Sequence, residues 1–172
     1  MRGRRLVALV STIVAGWTVP LNSPVWAEAK TICIGRSDAF VLRPGLSMTP
    51  TSGAGVTVAV GQVECTGPLD GHEPTGPITS RHVFTYGGTC SEFEAKGWVD
   101  YFVPTATGLV ILRNNFTGGI NLSDPADAMV IHGDHLTGRA FVQSFEGDCV
   151  TSPVTRMEVG WVGQWHDKGR TN

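Results

Sequence analysis

The densest group of chemically active side chains is His132-Gly133-Asp134-His135, which places two imidazoles and a carboxylate within four residues. Imidazole nitrogens and carboxylate oxygens bind zinc and similar divalent ions, so a metal-dependent extracellular hydrolase using His132, Asp134 and His135 is one hypothesis. Histidines that share a metal usually lie two apart on a strand or four apart on a helix, whereas these two lie three apart. A polar hairpin turn is therefore the preferred interpretation, with Gly133 setting the backbone and Asp134 bonding nearby amides.

Other residues with catalytic chemistry are scattered along the chain. The candidates are His72-Glu73, His82, His166-Asp167 and the carboxylate pairs Glu92/Glu94 and Asp124/Asp127. No Gly-x-Ser-x-Gly segment occurs, and a glycosidase needs two carboxylates at a defined separation across a cleft. Glu92 and Glu94 are better explained as the solvated face of a strand. We therefore predict no catalytic residue, no bound metal and no cofactor.

Aromatic side chains suggest a different chemistry, the stacking of sugar rings. The candidates are Tyr86, Trp98, Tyr101, Trp161 and Trp165. Trp161 and Trp165 have the same strand parity and would lie roughly 13 Å apart on one face, a spacing that fits a saccharide platform. They share that parity with Met157 and Val159, however, and a buried Trp is common in all-β domains. The preferred interpretation is that both indoles belong to the core.

The N-terminal segment predicts export. Arg2, Arg4 and Arg5 precede an apolar run from Leu6 to Trp17, and small-residue cleavage positions follow at Ala27 and Ala29. The apolar run is shorter than the roughly 20 residues that span a bilayer. We expect residues 1–29 to be a signal peptide, residues 30–172 to form a secreted extracellular domain, and the mature chain to have no stable membrane insertion.

The charge balance limits the class of partner. Removing three arginines and Glu28 from 13 Lys+Arg and 15 Asp+Glu leaves 10 and 14, a formal charge of −4. Nucleic acids and anionic membranes attract basic surfaces. The sequence therefore argues against nucleic acid and favours an extracellular protein or glycan as the partner.

The four cysteines are Cys33, Cys65, Cys90 and Cys149, all within the expected mature domain. An even number in an oxidising compartment predicts two disulfides, and no Cys-x-x-Cys pair supports a zinc site. Three pairings are open. We favour Cys33 with Cys65 and Cys90 with Cys149, because each pair closes a self-contained segment.

Hydrophobic periodicity predicts an all-β chain. From Glu92 to Val103 and again from Arg156 to His166, apolar residues alternate with polar ones, as expected of half-buried strands. Seven to nine such segments are separated by turns rich in Gly, Pro, Asn and Asp. This pattern is typical of a single-domain antiparallel β-sandwich, immunoglobulin-like or jelly-roll-like, with a closed barrel as the alternative.

Individual segments carry further expectations. Leu109-Val110-Ile111-Leu112 is apolar at both parities, which predicts a central strand covered on both faces. Phe116-Thr117-Gly118-Gly119 predicts a tight turn. Residues 66–80 and the Gly-rich stretch 49–55 are expected to be flexible loops, and a long loop is a usual binding region, for example in protease inhibition.

The chain resembles the small exported two-disulfide all-β proteins of actinomycete bacteria, most of which are uncharacterised. The residues that carry the resemblance are the Arg-rich N-terminus, Cys65-Thr66-Gly67-Pro68-Leu69 and Glu158-Val159-Gly160-Trp161. The resemblance implies a secreted, disulfide-stabilised β domain and transfers no catalytic residue. Together with the charge balance it predicts a non-catalytic extracellular binding protein.

Overall fold

The computed structural model describes residues 30–120 and 129–167, and these contain nine β-strands. The predicted signal peptide, residues 1–29, lies outside the described residues. Within these ranges no helix is long and apolar enough to cross a membrane. The strands are β1 (Thr31–Leu46), β2 (Thr51–Ala59), β3 (Gln62–Cys65), β4 (Ile78–Gly88), β5 (Phe93–Thr105), β6 (Gly108–Ile120), β7 (Met129–Gly133), β8 (Leu136–Glu146) and β9 (Val154–Trp165).

The strands form one antiparallel sheet that closes on itself at β1. The first part of β1 pairs with β3 and the second part with β2, while β9 pairs with both parts from the other side. From β2 and β3 the pairing continues through β4 to β9 without a break. The all-β antiparallel prediction is confirmed. The two walls that a sandwich would form as separate sheets are here parts of one closed sheet, the arrangement given above as the alternative.

The alternating pattern explains why these segments are strands. In β5 the odd-numbered residues Phe93, Ala95, Val99, Tyr101 and Val103 are buried, and the even-numbered ones face outward. Successive side chains on a strand point to opposite faces, so the odd positions line the interior of the closed sheet. The predicted inward and outward faces of β5 are thus confirmed.

Glycines make room for aromatic rings in the interior. A Cβ added at Gly55 on β2 would lie 2.1 Å from the ring of Phe84, and one added at Gly35 on β1 would lie 2.0 Å from the indole of Trp161. The Gly-rich stretch 49–55 was expected to be a loop. That expectation is wrong from Thr51 onward, because the stretch pairs with β1 and β4 and its glycines accept the neighbouring rings.

Loops and disulfides close the two ends of the sheet. Cys33–Cys65 joins directly opposite residues of β1 and β3, and Cys90–Cys149 joins the β4–β5 turn to the β8–β9 turn. Both favoured pairings are confirmed. The 66–80 segment is a loop up to Pro77, but Leu69 within it is 0% exposed and fills the end of the core beside Cys33–Cys65.

Two expectations about β6 are wrong. Phe116 to Gly119 continue the strand, because they pair with β5 on one side and β7 on the other. Leu109 and Ile111 are 64% and 58% exposed, so the apolar run is not covered on both faces in the single chain. Leu112 packs against the core. Leu109 and Ile111 lie on the open surface, opposite Pro104 and Phe102 of β5.

Candidate functional site

The side chains of the His132–His135 segment lie in three different environments. His132 stands on the outer face of β7, and Asp134 is exposed and accepts a hydrogen bond from Asn115 Nδ2 at 2.6 Å. His135 is 3% exposed. The structure therefore does not bring the three candidate ligands together. Among residues 30–120 and 129–167, no group of three or more His, Cys, Asp or Glu side chains is placed to hold a metal ion.

His135 belongs instead to a structural cluster at the end of the sheet. Its ring stacks on Trp165, with centroids 5.2 Å apart, and its Nδ1 lies 3.2 Å from Asp70 Oδ1. The Trp165 indole donates to the same Asp70 oxygen at 3.1 Å. This cluster anchors the loop that carries Leu69 and Asp70, so the second histidine of the segment has a packing role.

The other sequence candidates are also dispersed. His166 Nε2 lies 2.7 Å from Thr137 Oγ1, and Glu92 and Glu94 are exposed. The pair Asp124/Asp127 lies outside the described residues. Trp161 and Trp165 are 2% and 4% exposed, which confirms that they belong to the core. The saccharide platform proposed for these two indoles is therefore excluded by their burial.

Trp98 is the exposed indole among the tryptophans that the structure describes. It stands on the outer face of β5 and is 37% exposed. The guanidinium carbon of Arg113 lies 5.3 Å from its ring centroid, a cation–π distance. Arg113 is itself held by two hydrogen bonds to Asp100, of 2.7 and 2.8 Å, and these bonds raise the pKa of Arg113. The indole therefore has a fixed orientation at the surface.

A large open groove lies next to Trp98 on the outer face of the sheet. This outer groove has a volume of about 1230 Å³ and crosses β2, β4, β5, β6 and β7. A smaller depression of about 460 Å³ continues from it, shares Ala54, Thr85 and Lys96 with it, and reaches Trp98. The two together form one concave surface with the indole at its end.

The floor of the outer groove is a row of cross-strand neighbours. The register places the following residues side by side: Arg43, Ala54, Thr85, Lys96, Thr117 and His132. A second row contains Ser52, Gly87, Glu94, Gly119 and Val130. Because strands are about 4.8 Å apart, hydroxyl, ammonium and imidazole groups recur at short intervals across the groove.

The charges of the groove are not neutralised by neighbouring side chains. Arg43 and Lys96 form no ion pair within residues 30–120 and 129–167, and Glu94 forms none there either. The three groups are exposed to solvent. They are therefore free to bind a polar ligand that lies along the rows.

The interior of the closed sheet contains a separate cavity of about 50 Å³. Its walls are mainly aromatic and aliphatic, and they include Phe40, Phe84, Phe116, Met157 and Trp161. Three polar side chains, His82, Tyr101 and Asn114, also line it. None of the three candidate metal ligands, His132, Asp134 and His135, lines this cavity.

A buried carboxylate, Asp38, lies beside this cavity. Gly61 N–H and the Ser80 hydroxyl donate to its Oδ1 at 2.9 and 3.1 Å, and the Trp161 indole donates to its Oδ2 at 3.1 Å. His82 Nε2 lies 3.2 Å from Oδ2, although without the geometry of a straight hydrogen bond. Asp38 thus gathers four groups from three separate segments: the β2–β3 connection, β4 and β9.

These contacts keep Asp38 ionised. Burial raises its pKa, but the close polar contact with His82 and its charge, together with the donors on Trp161 and Ser80, outweigh burial and hold the pKa of Asp38 below its ordinary value. Burial, with a smaller contribution from the Asp38 charge, raises the pKa of the nearby Tyr101 hydroxyl. The interior therefore contains one fixed negative charge and a neutral phenol.

Asn114 organises the β7–β8 turn from inside the sheet. Its Oδ1 accepts the backbone N–H groups of His135 and Leu136 at 2.8 and 3.2 Å. Its Nδ2 has no hydrogen-bond partner although Asn114 is 1% exposed. In the described part of the chain, Asn114 Nδ2 and His82 Nε2 are the two buried side-chain atoms without a hydrogen bond, and both residues line the cavity.

Asp38 and Asn114 were not among the sequence candidates. Each is a single polar residue at an inward position of a strand, and no motif marks such a position. For Asn114, strand parity was the available signal, because Asn114 has the same parity as the apolar residues Leu112 and Phe116.

Comparison of the chain with known protein families, with curated proteins and with solved structures finds no match to any of them.

Proposed function

We propose that this protein is a non-catalytic extracellular binding protein whose outer groove holds a glycan chain. The observation that carries the proposal is the combination of a groove of about 1230 Å³ with an exposed indole, Trp98, at the end of its continuation. Polar groups standing in rows match the hydroxyls of a sugar chain, and an indole packs against the apolar face of a sugar ring.

The charges favour an acidic glycan over a neutral one. The groove contains two basic side chains, Arg43 and Lys96, against one carboxylate, Glu94. Between the charged residues, the two rows contain small residues that leave room for a chain to lie close to the sheet. These are Ser52, Ala54, Thr85, Gly87, Thr117 and Gly119. A uronic acid polymer offers carboxylates to the two basic groups and hydroxyls to Thr85 and Thr117.

The extracellular location rests on the disulfides and on the N-terminal pattern. Cys33–Cys65 and Cys90–Cys149 are compatible with an oxidising compartment, and residues 1–29 have the features of an export signal. Geometry also supports a non-catalytic role. The Ser80 hydroxyl donates to Asp38, so it does not face His82 as a nucleophile faces its base.

The test is a calorimetric titration with polygalacturonate oligomers, with dextran oligomers of the same length as the neutral comparison. We expect saturable binding of polygalacturonate, and Trp98→Ala should weaken it by about tenfold. Lys96→Glu should weaken it by a similar factor and remove the preference over dextran. Phe145→Ala is the matched control, because Phe145 is 52% exposed on β8 away from the groove. Equal affinity of all three variants, or no binding of either glycan, would contradict the proposal.

A further inference from the structure

The interior cavity is lined mainly by apolar side chains, whereas the outer groove is lined by polar and charged ones as well. We propose that the interior cavity is a second binding site, for one apolar molecule smaller than a six-membered ring that carries a single hydrogen-bond acceptor oxygen. The cavity measures about 50 Å³, several times the ~10–15 Å³ that one water molecule needs and about a third of the ~150 Å³ that holds one benzene molecule. The inference is independent of glycan binding.

The walls show why the occupant is apolar. Rings of Phe40, Phe84 and Phe116 lie edge-to-face or tilted against one another, with centroids 5.4 to 6.4 Å apart. Short side chains, Ala95 and Ala140, stand on the walls where larger ones would fill the space. Protein interiors are normally packed without voids of this size, so a maintained space lined by apolar atoms indicates an apolar ligand.

Asn114 shows why the occupant carries an acceptor. Two backbone N–H groups bond to one end of the Asn114 amide, so that end is the oxygen and the unpartnered end is the NH₂ donor. A buried donor without an acceptor costs about 1–3 kcal/mol, which a ligand oxygen would recover. The other polar wall residues are Tyr101 and His82, and His82 has its Nε2 turned towards Asp38.

The register places His82 and Asn114 at one level of the cavity. His82 on β4 is opposite Val99 on β5, and Val99 is opposite Asn114 on β6. The two side chains therefore lie two strands apart, roughly 10 Å between backbones. An oxygen at this level meets the Asn114 donor, while the rest of the ligand contacts the aromatic walls.

The test compares acetone with isobutene, which has the same shape but a CH₂ group in place of the oxygen. Binding is followed by the NMR signal of the Trp161 indole N–H, since Trp161 lines the cavity. We expect both probes to shift this signal in a saturable way. Ala140→Leu, which fills the space, should abolish the shift for both probes, whereas the exposed control Phe145→Ala should leave both unchanged.

The acceptor is tested separately by Asn114→Asp, which keeps an oxygen for the two backbone N–H groups and removes the NH₂ donor. The ratio of acetone to isobutene affinity should fall by about tenfold in this variant, with the hydrocarbon affinity kept within about twofold. An unchanged ratio would overturn the assignment of Asn114. Failure of both probes to bind the wild-type protein, as expected if the cavity holds ordered water, would overturn the site itself. Neither result depends on whether the outer groove binds polygalacturonate.

Discussion

Replacing Asp38 by asparagine is the sharpest test of how the interior is held together. The amide oxygen of Asn keeps an acceptor for Gly61 N–H and the Ser80 hydroxyl, but its NH₂ group faces Trp161 Nε1 and His82 Nε2. The Trp161 indole N–H, which is the one of these two atoms that forms a hydrogen bond, then loses its acceptor. At about 1–3 kcal/mol for a buried donor left without a partner, Asp38→Asn should lower the free energy of unfolding by about 1–3 kcal/mol, and loss of the charge beside His82 adds to this.

Asp38→Ala removes the acceptor for all three donors, which are Gly61 N–H, the Ser80 hydroxyl and the Trp161 indole, and should destabilise the domain further. The same arithmetic gives about 3–9 kcal/mol, comparable to the ~5–15 kcal/mol that separates a folded domain from its unfolded chain. We therefore expect Asp38→Ala to be recovered unfolded, if at all. Asp134→Asn is the matched control, because Asp134 is exposed, and it should change stability by less than about 0.5 kcal/mol.

The assay is urea unfolding followed by tryptophan fluorescence between pH 7 and pH 2. Because the pKa of Asp38 is lowered in the folded state, its contribution is present above the unfolded-state value of 3.8 and is lost as the pH falls through the folded-state value. The stability difference between wild type and Asp38→Asn should therefore be largest near neutral pH and shrink below pH 3.8. A difference below 0.5 kcal/mol at pH 7, or one that grows on acidification, would refute this account of the buried charge.

Two further predictions concern packing. Gly55→Val should destabilise the domain by about 1–3 kcal/mol in urea unfolding, or prevent folding, since a side chain there meets the ring of Phe84; Gly87→Val, where a Cβ meets nothing within 4 Å, is the control. In thermal unfolding, His135→Ala should lower the midpoint by several degrees because the ring is buried against Trp165, whereas His132→Ala should leave it unchanged. Equal effects of the two histidine variants would contradict the different roles assigned to them.

Much of the fold follows from local patterns in the sequence. Period-2 alternation located β5 and β9, because most outward residues of these strands are polar and most inward ones are apolar. The disulfide pairing also followed, since Cys33 and Cys65 close a compact segment. Closure of the sheet did not follow, because the pairing of β1 with β9 joins residues more than 100 positions apart and leaves no local signature.

Errors arose where glycine has a role in packing. Gly53 and Gly55 suggested a loop by composition, whereas in the structure they are strand residues lying against Tyr86 and Phe84. The Phe116–Gly119 segment was misassigned for the same reason. The groove could not be predicted either, because the row from Arg43 to His132 exists only after six strands have been placed in register.

The position of β1 has a consequence for the order in which the chain can fold. The Trp161 indole donates a hydrogen bond to Asp38, which lies 123 residues earlier in the chain, and both parts of β1 pair with β9. Contacts between residues so distant in sequence form slowly, because the chain entropy of a long loop is lost before the contact is made. During synthesis, β1 can pair early with β2 and β3, but it keeps one open edge and Asp38 lacks its Trp161 donor until β9 has emerged. This intermediate is the one that a chaperone would have to protect.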